Sequence, residues 1–203
     1  MLKISFSNQF IEAGLDEVGR GCLAGPVVAS AVILPINYRE EELNDSKQLS
    51  KNQRERLAIE IKKNAIAWSI AEVSPTEIDK LNIANASFKA MGKALKKLHV
   101  IPELLLIDGN RFKSSSSIPY ECIIKGDGIY ASIAAASILA KVHRDEIMKK
   151  LSNKFPSYGW EKNVGYPTSF HREAIRKHGI TPHHRLSFKL LSSDSVINQE
   201  SYN

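Results

Sequence analysis

Acidic side chains stand at three separated places in this 203-residue chain: Asp16 and Glu17 in AGLDEVGRGC, Asp108 in LLLIDGN, and Asp127 in KGDGIYAS. Each place is where a strand should end or a helix begin. Carboxylates gathered in a cleft are costly unless cations compensate them, so four that converge would make a site for divalent metal. Hard oxygen ligands suit Mg²⁺ or Mn²⁺, whereas the scattered histidines and the two cysteines show no zinc spacing. Two such ions roughly 4 Å apart can activate a water and steady the leaving oxygen of an in-line displacement at phosphorus. Ordinary readings stand beside this one. Asp108 opens an Asp-Gly turn dipeptide, and Asp127 could cap the helix that follows it. Adjacent Asp16 and Glu17 on an extended chain point to opposite faces, so both reach one cluster only if the chain turns there, as Gly19 and Gly21 permit.

The Gly19-Arg20-Gly21 segment follows the acidic pair after a single valine. Glycines let a backbone approach a ligand closely and expose its N–H and C=O groups, which can read a ribose 2′-hydroxyl. Arg20 can hold a phosphate with its planar fork. The alternative is a plain glycine-rich turn. Ser46 and Lys47, in NDSKQ, could hold a phosphate or belong to a polar loop. Tyr166 precedes a helix start and could stack on a sugar or base, or only pack. Lys125, Lys141, Arg144 and Arg185 add positive charge suited to a duplex backbone. His171, His178, His183 and His184 are expected at the surface or at helix ends.

These residues need elements to position them. Pro26 to Leu34 is rich in β-branched residues and predicts a strand. Ser50 opens a capping-box pattern and predicts a helix from Lys51 to about Asn64, and Ser74-Pro75-Thr76-Glu77 is a second. Ala65 to Val73 reads as a strand, and about Ala84 to Leu98 as a helix with lysines on one face. The apolar run Leu104 to Ile107 predicts a buried strand, and Tyr120 to Ile124 reads as a further strand. Asp127 to about Leu151 reads as a helix whose small residues at 131, 134, 135 and 136 allow close packing on a sheet. Thr168 should cap a helix that Gly179 ends after His178. The polar tail beyond about Leu191 is expected to fray. Together these predict an α/β fold with a mixed sheet, in a single domain over 1–190 with a tail over 191–203.

A net charge of +6 makes a polyanionic partner plausible. Cys22 and Cys122 are too few for a disulfide framework and read as reduced thiols of a cytoplasmic protein. No apolar stretch approaches the roughly 18 residues of a membrane helix, and the first residues show no secretory pattern.

LDEVGRGCLAGPVVASAVIL, NDSKQLS, LLIDGNR, KGDGIYASIAAASILAKVHRD, GYPTSFHREAIRKHG and TPHHRLSF occur in this order. Together they resemble ribonuclease HII, the type 2 ribonucleases H, over nearly the whole chain from about Ile11 to Phe188. The resemblance implies a ribonuclease H-like fold, a five-stranded mixed sheet flanked by helices with a helical C-terminal part. It implies hydrolysis of the RNA strand of RNA–DNA hybrids and incision 5′ of single ribonucleotides in duplex DNA by two-metal-ion catalysis, leaving 5′-phosphate and 3′-hydroxyl ends. Asp16, Glu17, Asp108 and Asp127 match the family's metal-binding acids. Gly19, Arg20 and Gly21 match its ribose-reading segment, and Tyr166 its junction tyrosine. Ser46 and Lys47 fall in a segment resembling its phosphate contacts. Cys22 stands where proline is common, which frees φ, and Ser169 where lysine often follows the threonine. The type 3 enzymes lack the arginine between the glycines and carry an extra N-terminal domain, so type 2 is preferred. Two other classes of function stand beside this one. A binding module without catalysis would tolerate loss of an acid, and a nucleotide phosphotransferase would want a phosphate-cradling G-x-x-x-x-G-K-[ST] loop, which is absent. A monomer is expected, since no apolar heptad or interface stripe is visible.

Overall fold

The computed structural model describes residues 2–44, 46–113 and 116–191. Asp45 and the expected tail from 192 onward lie outside the described residues. Five strands form one sheet: β1 (Glu12–Val18), β2 (Val27–Ile33), β3 (Ala67–Val73), β4 (Leu104–Asp108) and β5 (Tyr120–Ile123). Their order is β3-β2-β1-β4-β5. β2 lies antiparallel to β1 and β3, while β4 lies parallel to β1 and β5, so the sheet is mixed as expected.

The burial pattern along each strand shows what covers it. β2 is buried throughout, because helices cover both faces of the sheet. Val27, Ala29, Ala31 and Ile33 join one core with Ala86, Ala90, Met91 and Ala94 of α3 (Ile83–Lys97). Val32 faces the opposite side, toward α1 (Lys51–Asn64) and α4 (Ala131–Lys154). β3 alternates strictly between buried and exposed positions at its start and end, as an edge strand covered on one face should.

Helix α4 sets the geometry of everything beyond. Its first ten residues, Ala131 to Ala140, are all buried. A Cβ at Gly14 of β1 would lie 2.2 Å from the backbone carbon of Ser132, so only glycine lets the helix lie this close to the strand. The second half of α4 runs past the sheet into a smaller core of Leu23, Ala24, Met148, Tyr158, Trp160, Ala174 and Ile175. That core holds the helical C-terminal part, including α5 (Trp160–Asn163) and α6 (Ser169–His178).

The capping patterns behave as their spacing predicts. Ser50 and Gln53 form a full capping box on α1, and Ser74 and Glu77 another on α2 (Pro75–Leu81). Thr168 caps α6 through the His171 N–H, and Gly179 ends it with φ 76°. Asp127 departs from expectation. It caps no long helix: α4 begins at Ala131 after Tyr130, and Asp127 sits in a separate 3-10 turn over Gly126–Gly128.

Candidate active site

Parallel pairing places Leu15 of β1 opposite Ile107 of β4. Asp16 and Asp108, the next residues, therefore stand side by side toward the carboxyl ends of adjacent strands, where open α/β sheets collect ligands. After β5 the chain turns through Lys125, a left-handed residue with φ 55°, and the Gly126 N–H donates to Asp108 Oδ1 at 2.7 Å. That bond pins the 3-10 turn against β4 and brings Asp127 to the same point. One oxygen each from Asp16, Asp108 and Asp127 lies within 4.8 Å of the other two.

Asp16 and Asp127 are almost wholly buried. Burial holds the Asp16 carboxyl well above its usual range, and the charges of Glu17 and Asp108 push it further. A hydrogen bond from Ser137 opposes both. Carboxylates so placed are suited to sharing a divalent cation, whose charge would offset their repulsion and desolvation. The donor set is all oxygen and fits Mg²⁺ or Mn²⁺ better than a soft metal.

Glu17 is not part of that trio. β1 continues straight through Asp16 and Glu17 to Val18, so the turn expected between the acids lies two residues later. Adjacent strand residues then diverge, and the Glu17 carboxylate meets Arg20 Nη1 at 3.0 Å instead. Burial raises the Glu17 pKa and the Arg20 charge draws it partly back.

The Gly-Arg-Gly turn rims the cluster. Gly19 is buried, whereas Arg20 and Gly21 are exposed. The Tyr166 ring faces Gly21: a Cβ there would lie 3.9 Å from Tyr166 Cε1. The Leu23 N–H donates to Gly165 O at 2.8 Å, tying the two segments together. On the other side Lys47 Nζ lies 3.7 Å from Asp127 Oδ2 with its side chain largely in solvent. Ser46 is turned inward: it is buried, and its hydroxyl meets Ser137 Oγ at 2.9 Å.

The sequence compares closely with proteins of one kind. The model of the family described as Ribonuclease HII matches residues 13–191. A ribonuclease HII of Bacteroides fragilis is 58% identical over 97% of this chain and 98% of its own. One from Parabacteroides distasonis is 60% identical over 89% of this chain and 91% of its own. The chain belongs to the ribonuclease HII family. The crystal structure of the ribonuclease H2 from Pyrococcus horikoshii OT3 superposes with a TM-score of 0.76 at 26% identity, covering 88% of this chain and 94% of that one. This member is therefore a ribonuclease H, a metal-dependent nuclease of the hydrolase class, on a ribonuclease H-like fold. No helix among the described residues is long and apolar enough to cross a membrane.

Sequence reading of this chain missed several residues behind the site. Ser137 joins Asp16 to Ser46 from within the alanine-rich stretch of α4. A buried serine on an apolar face needs a partner, and that was its only signal. Arg144 and Arg185, expected to face a duplex, have no exposed surface at all. His171 and His184, among the histidines expected mostly at the surface or at helix ends, are also buried. Trp160 Nε1 donates to His171 Nε2 at 2.9 Å, so that nitrogen is bare and His171 Nδ1 carries the proton it gives to Tyr166 O at 2.9 Å. The Thr181 N–H donates to His184 Nδ1 at 2.9 Å, leaving the proton on His184 Nε2, 3.2 Å from His171 Nε2. Both rings are neutral in this chain of donors, which ends on the carbonyl of Tyr166.

Proposed function

We propose that this chain hydrolyses the RNA strand of RNA–DNA hybrids and incises 5′ of single ribonucleotides in duplex DNA, leaving 5′-phosphate and 3′-hydroxyl ends. The observation that carries this reading is the trio Asp16, Asp108 and Asp127 within 4.8 Å of one another, beside an exposed Gly-Arg-Gly turn. Two divalent ions, Mg²⁺ or Mn²⁺, would be held by these acids with Glu17, and when bound they supply the charge that activates a water for in-line attack and steadies the departing 3′-oxygen.

The chain's own groups do the rest. Asp108 is oriented by the Gly126 N–H and Asp16 by Ser137, so their oxygens stay aimed at the cluster. Arg20 exchanges Glu17 for a substrate phosphate, which frees the Glu17 carboxylate for the metal site. Lys47 offers a second cation to the backbone, while Ser46 steadies its loop through Ser137. The backbone of Gly19, Arg20 and Gly21 reads the ribose 2′-hydroxyl, and Tyr166 packs on the sugar beyond the junction. The hydroxyl is recognised and is not the nucleophile. Residues 1–190 act as one domain and as a monomer in the cytoplasm, in ribonucleotide excision repair and DNA replication.

The deciding experiment is cleavage of a labelled DNA duplex with one embedded ribonucleotide, with Mg²⁺, Mn²⁺ or chelator, beside an all-DNA duplex and single-stranded RNA. Metal-dependent incision 5′ of the ribonucleotide with both controls intact is expected. Binding of the duplex without incision under either ion would replace the enzyme reading with a binding module.

A further inference from the structure

Arg144 and Arg185 are wholly buried, and every hydrogen bond their guanidinium groups make among the described residues goes to a backbone carbonyl. Arg185 Nη2 donates to Gly19 O at 2.7 Å and Gly25 O at 2.9 Å, its Nη1 to Arg20 O at 2.9 Å, and its Nε to Gly25 O at 3.0 Å. Arg144 donates to Pro26 O and Ala24 O, both at 3.0 Å, and to Val164 O at 2.8 Å. Two buried cations with no carboxylate in hydrogen-bond contact among the described residues, and only the more distant Asp79 charge favouring Arg185, are an expensive way to satisfy carbonyls. A guanidinium does offer what no amide can, a rigid fork of five donors. Here the forks close both ends of the loop from Gly19 to Pro26. The glycines leave room for them: a Cβ at Gly19 would lie 2.2 Å from Arg144 Nε, and one at Gly25 2.4 Å from Met148 Sδ and 3.2 Å from Arg144 Nη2.

The consequence for the turn follows from peptide geometry. In a trans peptide the C=O and the following N–H point in opposite directions, and the structure has no cis bond among the described residues. The carbonyls of Gly19 and Arg20 are drawn inward to Arg185. The N–H groups of Arg20 and Gly21 must then point outward, on the exposed side of the turn that Tyr166 faces. Two guanidinium charges behind them make that face more positive.

We propose that Arg144 and Arg185 are positioning residues for ribose recognition, fixing the peptide planes of the Gly19–Pro26 loop so that the Arg20 and Gly21 N–H groups meet the 2′-oxygen of the substrate ribonucleotide. This rests on the reading that the Gly-Arg-Gly turn senses the ribose. Lysine keeps the charge of either residue but cannot bridge the same carbonyls.

The test is binding without cleavage, measured in chelator by fluorescence anisotropy, for a DNA duplex with one ribonucleotide and for the same duplex in all-DNA form. Arg185→Lys, Arg185→Gln and Arg144→Lys are compared with the unaltered protein, each checked for fold by circular dichroism. Folded Arg185→Gln should lose on the order of tenfold in affinity for the ribonucleotide duplex, the worth of one good hydrogen bond. Its affinity for all-DNA should fall much less, by only the general effect of one lost charge, and Arg185→Lys should fall between. A folded variant that keeps the preference, or that loses both affinities together, overturns the proposal. If the variants do not fold, the unaltered protein decides by NMR. The Arg20 and Gly21 amide resonances should move with the ribonucleotide duplex and not with all-DNA, and unmoved amides overturn the proposal as well. An unaltered protein without any preference would instead sink the reading of the turn itself.

Discussion

At Asp16 the fold places a carboxylate where burial and two acidic neighbours all oppose its charge. Its folded pKa lies above the ordinary value, so the sign of its effect is fixed. In metal-free protein the penalty is absent at pH below about 4, where both folded and unfolded states hold the proton, and grows as pH rises through the folded pKa. Asp16→Asn should therefore stabilise the metal-free protein at pH 7 by about 1–3 kcal/mol, or several degrees in melting temperature. The gain should vanish near pH 4. The same variant should abolish cleavage and lose most of the melting shift that Mg²⁺ or Mn²⁺ gives. Thermal melts in chelator at the two pH values check this, and a variant no more stable than the parent at pH 7 would remove the repulsion argument. Tyr166 makes the opposite case. The residue is 41% exposed, so Tyr166→Ala should cost no more than about 1 kcal/mol of stability. Incision at a single ribonucleotide should fall about tenfold or more, the worth of a stacked ring. Equal losses in melting and incision assays would make Tyr166 a packing residue.

Between elements, the contact that matters most is α4 against β1. Substituting Gly14→Ala would drive a methyl group to 2.2 Å from Ser132 C and 2.4 Å from Ile133 N. Backbone cannot rotate away as a side chain can. Urea unfolding should show a loss of at least about 1–3 kcal/mol, the usual range for overpacking, and an unchanged midpoint would mean α4 can slide along the sheet. The small residues at 131, 134, 135 and 136 made this close approach legible in sequence, as the capping residues made α1, α2 and α6 legible. Local chemistry suffices for both. What could not be read is where an element ends by tertiary contact. Asp127 looked like the start of the long helix, yet the Gly126 N–H bond to Asp108 holds it in a separate turn, a partner 18 residues away in sequence. The short α5 has only four residues and carries no periodicity of its own. It forms because Trp160 is buried against Tyr158 and the histidines. Of the expected acids, three meet as a cluster and Glu17 does not, because strand alternation outlasts the sequence signal for a turn. Arg144 and Arg185 read as surface charge because sequence shows charge and not depth, and their carbonyl partners lie on segments distant in the chain.

The whole molecule is a sheet layer with the acids at its edge and a C-terminal unit carrying Tyr166, and the site proposed above needs the two docked. Part of the docking is backbone: Gly25 N–H to His183 O, Arg185 N–H to Leu23 O, and the Asp79 carboxylate accepting from the N–H groups of Leu186 and Ser187. The C-terminal unit itself is held by the neutral histidine pair, with His184 held down to about 4 by burial and by nearby His171 and His183, and His171 lowered by burial. An unfolded histidine titrates near 6.5, so between pH 6.5 and about 4 the unfolded chain takes up a proton that the folded one refuses. His184 thus contributes stability that is fully present above pH 6.5 and is lost as pH falls toward 4, by about 3 kcal/mol at about 1.4 kcal/mol per pH unit. The acid cluster runs the other way, since protonating Asp16 and Glu17 relieves repulsion, so the melting profile of the unaltered protein mixes both trends. His184→Gln isolates one of them. Its melting temperature, measured in chelator from pH 7.5 to 4.5, should start below that of the parent and converge on it as the pH drops, because the parent alone loses the histidine contribution. Two profiles that run parallel over the whole range would mean that His184 takes up its proton as readily in the folded state as in the unfolded one, and the ordered chain of donors ending at Tyr166 would not hold.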